Sequence, residues 1–139
     1  MTTETNEATE RLRAINGSAA FNRWAAFAVA DAGPGRAELH LAWREEFGQY
    51  AGFLHAGMLG ALIDTACGFA AATQVGPVLA SHFAVNCLAP AVGESFIATA
   101  SVVKAGRRQV FARAEVTAVT GTERKLVATG ETILVPIEG

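Results

Sequence analysis

The chain has 139 residues, 51% of them hydrophobic and 17% charged, which suits one domain built around a single buried core. Its formal net charge of −2 lacks the basic excess of an electrostatic nucleic-acid binder. Two isolated cysteines, Cys67 and Cys87, form neither a disulfide framework nor a zinc motif, and their apolar surroundings predict two buried thiols in a reducing compartment.

The first ten residues are polar and acidic, with no basic stretch leading into an apolar run, so no signal peptide is expected and residues 1–10 read as a mobile terminus. Residues 11–139 read as one domain. A short amphipathic helix carrying Leu12 and Ile15 comes first, with Asn16-Gly17 as its stop. Phe21, Trp24 and Phe27 add aromatic bulk from a second helical turn that leads into a strand. Asp31-Ala32-Gly33-Pro34-Gly35 is a turn cluster. Residues 36–43 alternate as a strand, with Ala37, Leu39, Leu41 and Trp43 on one face. Residues 44–50 are polar and loop-like.

Residues 54–74 have the length of a helix and are apolar almost all round, which predicts a helix surrounded by protein. Gly76-Pro77 ends it. The nearly uncharged stretch 51–103 is no membrane span, because Asp64, Gln74, Gly76, Pro77, His82 and Asn86 interrupt it. It reads as a buried helix followed by a buried strand, and a cytoplasmic protein is expected. Residues 81–88, 94–104, 107–118 and 125–135 read as strands. Turns at Ala105-Gly106 and Thr120-Gly121-Thr122 link the last three into an antiparallel meander. The predicted class is α+β: an antiparallel sheet wrapped around one long apolar helix.

Asp64 stands in the middle of that helix. A buried carboxylate is costly, so such a residue is paired, hydrogen-bonded or functional; a bond to a neighbour such as Thr65 is the bland alternative. Ahead of it, Gln49, His55, Ala56 and Gly57 run from a polar loop into the helix start. Unpaired amides at a helix N-terminus can hold a developing oxyanion. Gln49 offers a side-chain amide, and His55 a ring able to fix the loop. His55 and Asp64 lie nine residues apart, roughly two and a half turns, so they project from opposite sides of the helix. One copy cannot unite them, whereas two copies about a two-fold axis can, which predicts an obligate dimer with two shared sites.

Gln49-x-x-Gly52-x-x-His55-Ala56-Gly57, followed by Leu62-x-Asp64-x-Ala66, resembles the signature of hotdog-fold thioesterases of the PaaI-like group. Val85-Asn86-Cys87-Leu88-Ala89-Pro90 with Gly93 resembles the family's strand after the helix, and Lys104-Ala105-Gly106-Arg107-Arg108 its hairpin turn. The likeness covers about 21–135. It implies a hotdog fold, a homodimer that often pairs into a tetramer, and an acyl-CoA substrate with no separate cofactor. It makes Asp64 the catalytic carboxylate, either a general base on water or a nucleophile that forms a mixed anhydride, Gly57 or Ala56 the amide donor to the thioester oxygen, Gln49 a contact to carbonyl or water, and His55 the loop histidine. Asn86, Thr65 and Gly68 join the substrate-binding candidates; Lys104, Arg107, Arg108, Arg113, Arg124 and Lys125 are candidate cations for the CoA phosphates, with the Arg107-Arg108 pair at a turn preferred.

Two positions depart from the pattern. Ala56 replaces the first glycine of a Gly-Gly pair; it keeps the N–H, provided the backbone needs no positive φ. Gly68 stands where some relatives carry a water-positioning Ser or Thr, one turn after the carboxylate. No metal centre is expected, since His40, His55 and His82 form no ligand pattern. The alternatives are a non-catalytic acyl-CoA-binding module and an acyl-CoA hydratase. Hotdog hydratases place the Asp before the His, the reverse of the order here. A Cys67 nucleophile, one turn from Asp64, lacks a neighbouring histidine in sequence.

Overall fold

The computed structural model describes residues 3–137. Helices α1 (Thr3–Ser18) and α2 (Ala20–Ala25) precede strands β1 (Ala28–Gly33) and β2 (Arg36–Ala42); then come the long helix α3 (Ala56–Val75) and strands β3 (Val78–Cys87), β4 (Ser95–Ala105), β5 (Val110–Thr120) and β6 (Glu123–Pro136). The six strands form one antiparallel sheet in the order β1-β2-β4-β5-β6-β3. It curls around α3, and this is the hotdog arrangement.

The core is the seam between α3 and the concave face. Phe96, Ala98 and Ala100 of β4 and Val110, Ala112, Ala114 and Val116 of β5 point inward, as period-two alternation requires. Leu62, Ile63, Ala66 and Cys67 of α3 meet them with no exposure. Small residues let backbone close on the helix. A Cβ at Gly130 would lie 2.5 Å from the Ala84 carbonyl oxygen and 2.8 Å from the Ile63 side chain, so β6 passes that point only as glycine. Helix α3 is long and apolar enough to cross a membrane by length and composition, but it is a core helix packed against the sheet.

Four details differ from the sequence reading. Helix α1 already begins at Thr3, because Ala8 and Leu12 share one face and bury it, with Thr9 beside them. Asp31, Ala32 and Gly33 complete β1, so the turn is Pro34-Gly35 alone. Strand β3 is not buried: it is a sheet edge whose Leu79 is 64% and Phe83 49% exposed. Cys87 on that strand is therefore exposed, while Cys67 is buried.

The two sheet edges differ in a way that matters below. Along β1, α1 covers the edge: Arg13 Nε donates to the Val29 carbonyl at 3.2 Å and Thr9 Oγ1 to that of Ala32 at 3.5 Å. Along β3 no described residue covers the edge, and an uncovered strand edge is a template for pairing with another chain.

Candidate active site

Asp64 is half-buried and has no hydrogen bond or ion pair with any described residue; Thr65 does not bond to it. Burial pushes its carboxyl pKa up from the ordinary aspartate value. It lines a cavity of about 400 Å³ with Thr65, Gly68, Phe69 and Ala72 of α3, Pro77, Val78, Leu79 and Ala80 at the start of β3, Leu134 of β6, and Ile15, Ser18, Ala19 and Asn22 from the α1–α2 segment. Asp64 is the one titratable group in that lining. A lone carboxylate in a largely apolar wall is costly to keep ionised, and its raised pKa makes it a better base than a solvated aspartate.

The start of α3 is built by a tied loop. Gln49 N–H donates to the Phe53 carbonyl at 2.7 Å, His55 N–H to that of Phe47 at 2.9 Å, and Leu54 N–H to that of Ala91 at 2.9 Å. His55 is the N-cap: its Nδ1 accepts the Gly57 N–H at 2.8 Å. The neutral ring therefore carries its proton on Nε2. A Cβ at Gly57 would lie 2.9 Å from that Nδ1, so only glycine leaves room for the capping ring.

This cap decides between the two amides. The Gly57 N–H is already engaged, whereas the Ala56 N–H has no acceptor among the described residues. Ala56 is the first helical residue and its φ is not positive, so alanine carries no conformational penalty there. Gln49 Nε2 donates to the Leu54 carbonyl at 3.3 Å, and its side chain shares a second cavity with Ala56, Phe53, Leu59, Cys87 and Leu88. His55→Ala is expected to remove the cap and lower stability by about 1 kcal/mol, with His55→Asn recovering most of it, as thermal melting of the three proteins measures.

The structure brings Asp64, Thr65 and Gly68 together, and separately brings Gln49 and Ala56 together. The two groups line different cavities of one chain. Asn86 joins neither. Phe83 and Val85 point at Gly60 of α3, so alternation turns Asn86 to the outer face, where its Nδ2 donates to Thr129 Oγ1 at 3.3 Å. Arg107 and Arg108 sit exposed in the β4–β5 turn, which the Gly106 N–H closes on the Gln109 carbonyl at 2.8 Å. Residues that sequence reasoning missed are Ser18, Ala19 and Asn22, whose short helical segment carries no periodic signal. Cys67 is fully buried, and burial pushes its thiol up to about 11, with the charge of Asp64 adding to the rise, an environment that disfavours the thiolate a nucleophile needs. No cluster of His, Cys, Asp or Glu suited to a metal occurs among the described residues.

The profile of the thioesterase superfamily matches residues 51–125. A thioesterase family protein from Silicibacter pomeroyi superposes with a TM-score of 0.91 at 32% identity, covering 95% of this chain and 99% of that one. Zebrafish thioesterase superfamily member 2 gives 0.80 at 26% identity, over 98% and 100% of the two chains. The E. coli PaaI protein from the phenylacetic acid degradation operon gives 0.88 at 21% identity, over 99% and 98%, a likeness of fold. No curated protein sequence matches the chain.

Proposed function

Because the chain belongs to the thioesterase superfamily and has the hotdog fold, we propose that it hydrolyses acyl-CoA thioesters to a carboxylic acid and free CoA in the cytoplasm, as a PaaI-like member of that family. The observation that carries this reading is Asp64, without a partner among the described residues, in a largely apolar cavity, in a fold whose central helix also offers an N-terminal amide with no acceptor among those residues.

The two halves meet in a homodimer. The Asp64 cavity lies beside the start of β3 and the Ala56 cavity beside its end. Antiparallel pairing of two β3 edges about a two-fold axis at mid-strand carries each Asp64 cavity to the α3 N-terminus of the other copy. The apolar Leu79 and Phe83 on that edge are covered by the same step. The dimer in turn pairs into a homotetramer.

In such a site the Ala56 N–H holds the thioester oxygen, aided by the positive end of the α3 dipole, and stabilises the oxyanion as it forms. His55 positions that amide by capping the turn, and Gln49 borders the carbonyl. Asp64 of the other chain removes a proton from the attacking water; its raised pKa makes it a better base. The β4–β5 turn stands at the sheet end that holds the Asp64 cavity, since Val110 pairs with Leu134 of its lining. Arg107 and Arg108 there serve the CoA phosphates.

Free-thiol release from short-chain, long-chain and aryl acyl-CoAs tests the reading. Release from at least one member is expected. No release from any, with acyl-CoA still bound, would replace it with the non-catalytic binding module.

A further inference from the structure

We propose that Asn22 positions the attacking water for Asp64, filling from α2 the role that α3 leaves vacant at Gly68. The inference rests on the hydrolase reading above and adds to it a residue from the N-terminal helices.

A water activated by a general base has two protons to place. One goes to the base. The other must be held by a second acceptor, so that a lone pair faces the carbonyl carbon. On α3 the candidates are poor: Gly68 carries no side chain, and Thr65 projects about 100° away from Asp64. The α1–α2 segment lines the same cavity with two residues whose side chains carry oxygen, Ser18 and Asn22. Ser18 donates its hydroxyl proton to the Ile15 carbonyl at 2.6 Å and keeps lone pairs to accept with, but it is exposed, so solvent competes for that oxygen.

Asn22 is half-buried, and its amide orientation is fixed by a two-step relay. Asn16 Nδ2 donates to the Phe27 carbonyl at 2.7 Å, which leaves Asn16 Oδ1 as an acceptor. Asn22 Nδ2 donates to that Oδ1 at 3.0 Å. A flipped Asn22 would place oxygen against oxygen, so the atom left over is Oδ1, a pure acceptor. It has no donor among the described residues. The water oxygen bonds to the thioester carbon while one proton passes to Asp64 and the other stays on oxygen, held by Asn22 Oδ1. Collapse of the tetrahedral intermediate breaks the C–S bond, and the CoA thiolate recovers the proton from Asp64.

Gly68 provides a sharp test, because a Cβ there meets Leu134 Cδ2 at 3.7 Å and Val78 Cγ2 at 4.0 Å, ordinary contacts that admit serine. With an acyl-CoA that the wild type hydrolyses, Asn22→Ala is expected to lower kcat at least about tenfold with KM within about twofold. Adding Gly68→Ser is expected to return most of that loss. Asn22→Asp keeps an acceptor but sets a second carboxylate on the same water. It should move the acidic limb of the kcat–pH profile upward, a readout that a packing role would leave still. Unchanged kcat in Asn22→Ala, or a loss that tracks the melting temperature and ignores Gly68→Ser, would overturn the proposal. Failure of the parent reading looks different: there Asp64→Asn too is without effect, or wild type releases no thiol.

Discussion

Replacing Asp64 by Asn is expected to cut thiol release at least about a hundredfold while leaving the protein as stable as wild type or more so. The first half follows from chemistry, since the amide cannot take a proton from water. The second half follows from the sign of the pKa shift. Burial raises the folded-state pKa of Asp64 above its unfolded value. Between the two values the folded state binds more protons than the unfolded one, so stability falls as pH rises through that window and stays lower above it. At neutral pH the ionised side chain is thus a standing cost, which the neutral amide removes. The same shift sets the acidic limb of the rate profile above the ordinary aspartate range. Melting curves and kcat–pH profiles of the two proteins measure both halves; a variant that loses activity together with stability would make Asp64 a structural residue.

Ala56→Pro is expected to lower kcat by about a hundredfold to a thousandfold, the usual effect of losing one oxyanion donor, with little change in melting temperature. The substitution removes one atom of interest, the amide hydrogen. Proline is well tolerated at the first helical position, where its fixed φ suits the helix. His55 before it has φ −63° and ψ 137°, the extended geometry that a residue preceding proline requires. The His55 cap on Gly57 is untouched. Ala56→Ser keeps the N–H and serves as the control that retains activity. Equal activity in Ala56→Pro would return the oxyanion to another donor, with the Gly57 amide next in line.

Much of the fold was legible because local pattern and tertiary demand agree. Helix α3 is apolar on every side, and it is the element the sheet surrounds. The alternation in β4 and β5 matches their inward faces. Asp64 stood out because a carboxylate inside an apolar helix has few reasons to exist. What could not be read depends on contacts distant in sequence. Strand β3 carries core-like residues on an exposed edge, so composition pointed to burial that one chain alone does not provide. The exposure of Cys87 follows from the same cause. Which of Ala56 and Gly57 keeps a free N–H turned on where the His55 ring settles, a matter of 2.8 Å geometry that spacing does not encode. Asn22 reaches the Asp64 cavity only because the α1–α2 segment borders the same cavity as α3, and its orientation is set by Asn16 and the Phe27 carbonyl.

The central claim is that each site joins the Ala56 amide of one chain to the Asp64 carboxylate of the other. Mixing Ala56→Pro and Asp64→Asn proteins, after denaturing and refolding them together, tests it directly. Random pairing makes half the dimers mixed, and each mixed dimer holds one doubly damaged site and one intact site, so activity should return to about a quarter of wild type. A mixture no more active than the average of its two parents would contradict the shared site and place Asp64 and its oxyanion donor within a single chain.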